Sequence, residues 1–377
     1  MNQDSSDLLN GFDPGITSLY ITRKKISGIL DLSRFDKLEI LDCYINDIIQ
    51  IINFPSTLIE LYCDTNRITT LDNLPENLKI LNCNSNNIES LDNLPTSLEE
   101  LICSKNKIKN LDYLPSGLKV LNSANNDIES LDHLPNTLIK LNCSYGKITR
   151  LNNLFDGLKH LDCKGNLIES LDNLPSSITE LYSNQNKLES LDKLPENLEI
   201  LECDFNQIVN ITNILFKCSN LVKLSCVSNK INHSIEYLSE KLEYLNCTNN
   251  NINKLENLPN TLTSLFCSVN PIGKIEKLPK NLIKLWCEKC QIYKLDNFPN
   301  TLEYLNCTNN NIEILVNLPE SLTELYCVKN KIKQLEILPH RVCTSYPNNL
   351  KYLNCDNSIE NLTEINIKYK HTIINGY

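Results

Sequence analysis

The chain has 377 residues and a formal net charge of −10, so it lacks the basic stripe that phosphate binding demands, and nucleic acid is not an expected partner. No apolar run nears the roughly 18 residues of a membrane helix, which argues against a membrane span. The opening MNQDSSDLLNGFDPG has no basic segment followed by an apolar one, so no secretory signal is expected.

Residues 1–15 are polar and short and read as an N-terminal cap. From 16 to 367 the chain repeats itself. Leu19 heads a first, irregular unit. Leu41, Leu61, Leu81, Leu101, Leu121, Leu141, Leu161, Leu181 and Leu201 then recur every 20 residues. The phase slips at Leu224 and Leu245, resumes through Leu265, Leu285, Leu305 and Leu325, and ends after a longer gap at Leu353. About seventeen such units make one solenoid domain, because no unit can bury its apolar side alone. The pattern is irregular at 202–244, where the longer units lack a proline and residues 213–218 have room for a short convex helix. It is broken again by an insertion at 340–347. Leu362, Ile365 and Ile367 repeat the strand pattern once more, and 368–377 form a C-terminal tail.

The unit is L-x-x-L-x-C-x-x-N-x-I-x-x-L-x-x-L-P-x-x, as in Leu78, Leu81, Cys83, Asn86, Ile88, Leu91, Leu94 and Pro95. Leu81 and Cys83 alternate with Asn82 and Asn84, the period of a strand buried on one face. Asn86 falls where the strand turns away, and its amide can satisfy backbone groups otherwise buried unpaired. Ile88, Leu91 and Leu94 fill the layer behind. A proline in nearly every return limb forbids a helix interior there.

The L-x-x-L-x-(L/C)-x-x-N-x-(L/I) core over roughly 16–367 resembles the leucine-rich-repeat family. The short L-P-x-x-L form is similar to the repeats of bacterial effectors, and the asparagine bias resembles leucine-rich-repeat proteins of giant viruses. The resemblance implies an α/β-type leucine-rich-repeat solenoid: a curved parallel β-sheet on the concave side and a mostly extended, polyproline-like convex side with little helix. The 56 asparagines and single alanine, Ala124, otherwise fit an A/T-rich coding sequence. Asn142, Asn246 and Asn306 each begin an Asn-x-Ser/Thr triplet, and without a secretory signal no glycosylation is expected.

Fourteen of the 17 cysteines occupy one inward strand slot, from Cys43 to Cys355, where Ile21, Ser123 and Ser183 also stand. Cysteine acts there as a small hydrophobe. Neighbouring parallel strands point these side chains the same way, which suits stacked, reduced thiols better than bridges. In Cys287-Glu288-Lys289-Cys290, Cys287 is a core rung and Cys290 replaces the ladder asparagine, so a zinc site is not expected. Asp72, Asp92, Asp112, Asp132, Asp172, Asp192 and Asp296 form a row that reads as turn carboxylates accepting local N–H groups, with a cation-binding edge as the rival account. His133, His160, His233, His340 and His371 share no metal-ligand spacing. No catalytic residue, cofactor, metal or small-molecule substrate is expected.

The sheet residues flanking the inward Leu face outward. From Tyr244 onward they turn aromatic: Tyr244, Phe266, Trp286, Tyr304, Tyr326 and Tyr352. Two accounts stand side by side. The rings are binding anchors, or they cover neighbouring rungs as cross-strand pairs do. The reading is a non-enzymatic scaffold that holds a protein partner, basic or neutral, on the concave face, in a cytoplasm, including that of a host cell. The alternative is a substrate-recognition subunit of a larger complex such as a ubiquitin ligase, and a third is a metal- or redox-active cysteine array.

Overall fold

The computed structural model describes residues 3–4, 8–212, 217–335, 350–356 and 373–374. The insertion at 340–347, residues 213–216 of the expected convex helix, and Leu362, Ile365 and Ile367 lie outside them. The chain divides into two compact units, Met1–Asn186 and Lys187–Tyr377.

In the first unit, three-residue parallel strands stack one per repeat: Ser18–Tyr20, Ile40–Asp42, Glu60–Tyr62, Ile80–Asn82, Glu100–Ile102, Val120–Asn122, Lys140–Asn142, His160–Asp162 and Glu180–Tyr182. The register is leucine on leucine, as in Leu61↔Leu81 and Leu81↔Leu101. Pairing extends past the strand, for Cys83 N–H reaches Ile102 O at 2.8 Å and Ser85 N–H reaches Ser104 O at 2.8 Å. Leu81 and Cys83 are wholly buried, as are Leu78 and Ile88 behind them. The N-terminal stretch packs onto this stack. Gln3–Asp4 pairs with Ile26–Asp31, Leu9 is buried, and Arg34 donates to Asn10 Oδ1 at 2.6 Å.

The second unit repeats the scheme with Ile200–Glu202, Lys223–Ser225, Tyr244–Asn246, Ser264–Phe266, Lys284–Trp286, Tyr304–Asn306, Glu324–Tyr326 and Tyr352–Asn354. Ile373–Ile374, inside the stretch read as a tail, pairs with Tyr352 and Leu353. The longer repeats leave the register intact: Leu201 pairs with Leu224, and Leu224 with Leu245. His233 clips the return limb there, its Nε2 accepting from Ile211 N at 3.3 Å and its Nδ1 lying 2.7 Å from Ser234 O.

The expected architecture is what each unit shows, a parallel β-solenoid with extended return limbs. One refinement concerns those limbs. Ile26–Asp31 pairs with Asp47–Ile52, and Ile314–Leu315 with Gln334–Leu335, so part of the return side is also parallel sheet.

Two asparagine columns have physical work that base composition does not explain. The ladder asparagine ties two repeats together. Asn86 Nδ2 donates to Cys63 O at 3.0 Å, Cys83 O at 3.1 Å and Asn84 O at 3.3 Å, while its Oδ1 accepts from Ile68 N at 2.9 Å. The residue before it sits in the left-handed region, Ser85 at φ 55° and Lys105 at φ 53°. Even β-branched Ile45, Thr65 and Val269 adopt it, against a steric cost of about 1–2 kcal/mol each. The second column is the Asn of L-D-N-L-P and its variants. Asn53, Asn73, Asn93, Asn153, Asn173, Asn257, Asn297 and Asn317 all have positive φ, which asparagine tolerates better than most residues.

A hydroxyl ladder runs beside the proline turn. Leu58 N–H closes the turn on Pro55 O at 3.2 Å. The Ser or Thr just before that leucine then donates to the preceding repeat, as Thr57 does to Leu38 O at 2.8 Å, Ser97 to Leu78 O at 2.7 Å and Thr301 to Leu282 O at 2.8 Å.

Gly146 stands where the ladder calls for asparagine. A Cβ there would meet Asn166 Oδ1 at 3.0 Å and Ile128 O at 3.1 Å, so these must yield by a few tenths of an ångström. Gly146→Asn places an amide where Asn126 and Asn166 each make four hydrogen bonds. Urea unfolding is expected to show a gain of about 1 kcal/mol; a loss would mean the neighbours cannot yield.

Candidate binding surface

The outward strand positions form two columns, one before and one after each inward leucine. In the column after it, eight of the seventeen strands keep Asn or Asp, and these have a local role. The side chain caps the strand end by accepting the N–H two residues on. Asn82 takes it from Asn84 at 3.2 Å, Asn142 from Ser144 at 3.0 Å, Asn246 from Thr248 at 3.2 Å and Asn306 from Thr308 at 3.0 Å. A ring at this position gives up that bond. At Trp286 the N–H of Glu288 is taken instead by Ser268 Oγ of the preceding repeat, at 3.1 Å.

All six predicted aromatics lie on the outward face of the second unit. Tyr244, Phe266 and Trp286 are a continuous run, with ring centroids 5.4 and 5.5 Å apart. Tyr326 and Tyr352 make a second ring pair at 4.9 Å. Tyr304 lies under Lys284, whose Nζ is 5.4 Å from the ring centroid. Of the six, Trp286 is the most open at 43 % exposure, and the others are half-buried.

Tyr326 belongs to a different class from Phe266 and Trp286. In Glu-Leu-Tyr strands the phenol donates to the glutamate two residues before it. Tyr62 reaches Glu60 at 2.9 Å, Tyr182 reaches Glu180 at 3.2 Å and Tyr326 reaches Glu324 at 3.0 Å. Burial first, then the adjacent carboxylate, pushes the Tyr62 and Tyr326 hydroxyls up to about 12. Glu324 also raises Tyr304. Tethered tyrosines of this kind occur in both units, so tethering is part of the scaffold. Phe266 and Trp286 have no hydroxyl and no such tether.

The fourteen strand-slot cysteines are all buried, and no described cysteine is in a disulfide. Ser123 and Ser183 fill the same slot buried. Cys290 does stand in for the ladder asparagine: its thiol donates to Cys267 O at 3.1 Å, and Ile272 N–H turns to Asn270 O at 2.9 Å instead. Three carboxylates of the aspartate row have side-chain partners. Ser130 Oγ donates to Asp132 at 2.6 Å, His133 lies 2.9 Å from Asp112, and Lys294 lies 2.9 Å from Asp296. Backbone N–H groups of Asp132 and Asp172 go instead to Ser130 and Ser170. Among the described residues, no group of three or more His, Cys, Asp or Glu is placed to hold a metal ion, and no helix is long and apolar enough to cross a membrane.

This is the outward sheet of a leucine-rich-repeat-type solenoid, a class of scaffold that binds through its surface. No family model and no curated protein matches the chain. Solved structures do, and they relate it to bacterial effector and internalin proteins. YopM from Yersinia enterocolitica superposes with a TM-score of 0.74 at 26 % identity, over 90 % of this chain and 82 % of that one. The functional domain of InlJ from Listeria monocytogenes, which includes a cysteine ladder, matches with a TM-score of 0.60 at 25 % identity, over 90 % and 68 %. A Leptospira interrogans leucine-rich-repeat protein shares the fold at 21 % identity and a TM-score of 0.69, over 100 % and 99 %.

Proposed function

We propose that the protein is a non-enzymatic scaffold that holds a protein partner on the outward sheet of its second unit, with Phe266 and Trp286 as the anchors. The observation that carries this is the loss of the strand-end cap. Where neighbouring repeats keep Asn246 and Asn306, these two hold adjoining apolar rings. Phe266 and Trp286 thus forgo a local hydrogen bond and keep apolar surface wet, which is worthwhile where a partner covers it. Tyr244 and Tyr352 extend the face, while Tyr304 and Tyr326 are its covered and tethered parts.

The buried thiols, none of them in a disulfide among the described residues, support a reducing cytoplasm, that of a host cell included, as the working compartment. The likeness to effectors supports the same compartment, and the likeness to giant-virus repeat proteins is part of this reading. Recruitment of the partner to a larger enzyme complex such as a ubiquitin ligase is the second use of the same face.

The test compares affinity capture by the wild type, by Phe266→Ala/Trp286→Ala, and by Tyr113→Ala, whose ring is exposed in the first unit. Anchors of this kind are each worth about 2 kcal/mol or more. The double variant is expected to lose the captured protein while melting normally, and Tyr113→Ala to keep it. An unchanged catch with the double variant would overturn the assignment.

A further inference from the structure

Resting on that reading, we infer that the partner presents an extended segment with one carboxylate two residues from a bulky apolar side chain, the apolar group seated on Phe266–Trp286 and the carboxylate on Lys284. Lys284 and Trp286 belong to one strand, Lys284–Trp286, and flank its buried leucine, so both leave the sheet on the same side. Two residues of extended chain span about 6.6 Å. A partner strand laid along this one carries the matching pair at positions i and i+2.

The charge pattern selects a carboxylate there. The strands of the second unit hold two lysines on this face, Lys223 and Lys284. Lys223 is neutralised by Glu202 at 2.7 Å. Lys284 is exposed, rests on the Tyr304 ring, and makes no ion pair among the described residues. An ammonium held over a ring beside an open tryptophan is a ready counter-charge. The pattern also limits the partner to a single acid at this point. Glu324 lies one strand from Tyr304 and Glu303 next to it, and both repel a second carboxylate. The rest of the segment is therefore neutral or basic, in keeping with the acidity of the whole chain.

The experiment selects a random phage-displayed dodecapeptide library on the intact wild-type protein and on Lys284→Glu. Binding of the recovered peptides is followed through Trp286, the chain's single tryptophan. Wild type is expected to enrich peptides with one Asp or Glu two residues from Leu, Ile, Phe or Trp, and these should blue-shift the emission. Lys284→Glu should weaken them about fivefold and enrich a lysine or arginine in the acid's place, while Lys284→Arg keeps the preference. No enrichment, enrichment without an acid, or an acid preference that survives Lys284→Glu overturns the inference. If capture of the natural partner still depends on Phe266 and Trp286, the binding face stands and the peptide chemistry alone has failed.

Discussion

Raising the pH from about 8 to about 10 is expected to melt the protein at a steeply falling temperature. The cause is the thiol column. Burial pushes Cys83 and Cys307 up to about 12 and Cys355 up to about 11, and it raises Cys63, Cys163, Cys226 and Cys287 as well. At Cys267 the hydrogen bond with Cys290 is the leading cause, with burial next. An unfolded thiol ionises near about 8.5. The folded values are higher, so the folded chain holds its protons where the unfolded chain releases them. Stability is therefore fully present below about pH 8.5 and lost as pH rises toward the folded values. Each thiol contributes up to about 1.4 kcal/mol per pH unit, and about ten ionising together outweigh the ~5–15 kcal/mol of a typical domain within about one unit. Circular dichroism melts across this range check it. A flat midpoint would mean that the thiols are not buried as a column.

Asn86→Ala is expected to cost about 1–3 kcal/mol, the cost of one buried polar group left unpaired. The amide supplies three donations and one acceptance across two repeats. Alanine orphans Ile68 N–H, while the Cys63 and Cys83 carbonyls keep the amides of Asn66 and Asn106 at 3.0 Å each. Asn86→Asp should be no better, because a carboxylate accepts from Ile68 but turns like charge on the carbonyls. Since each repeat contacts only its neighbours, hydrogen exchange is expected to rise first around residues 63–88. Uniform exchange with an unchanged urea midpoint would contradict a ladder role.

The repeat, the inward cysteines and the ladder asparagine were legible because each rests on a period. Twenty-residue spacing and leucine–cysteine alternation decide which side of the strand a residue takes. They do not decide depth. Tyr326 and Trp286 share a column, yet one is tethered to Glu324 and the other stands open. A Glu-Leu-Tyr motif carries the signal that separates them. The hydroxyl ladder of Thr57 and Ser97 was missed because its partners lie a whole repeat away. The Asn of L-D-N-L-P passed for base composition because only backbone φ shows what it does. In the aspartate row, sequence adjacency suggests local backbone partners and gives no sign of a partner from the next repeat, such as His133 beside Asp112.

The most direct test of the binding face is a fluorine label. With 5-fluorotryptophan incorporated, the chain carries one fluorine, at Trp286. Titrating in the captured partner should shift and broaden that line and protect it from a soluble paramagnetic quencher, saturating at the stoichiometry of binding. A line that keeps its position and its quenching while the partner binds would contradict the account.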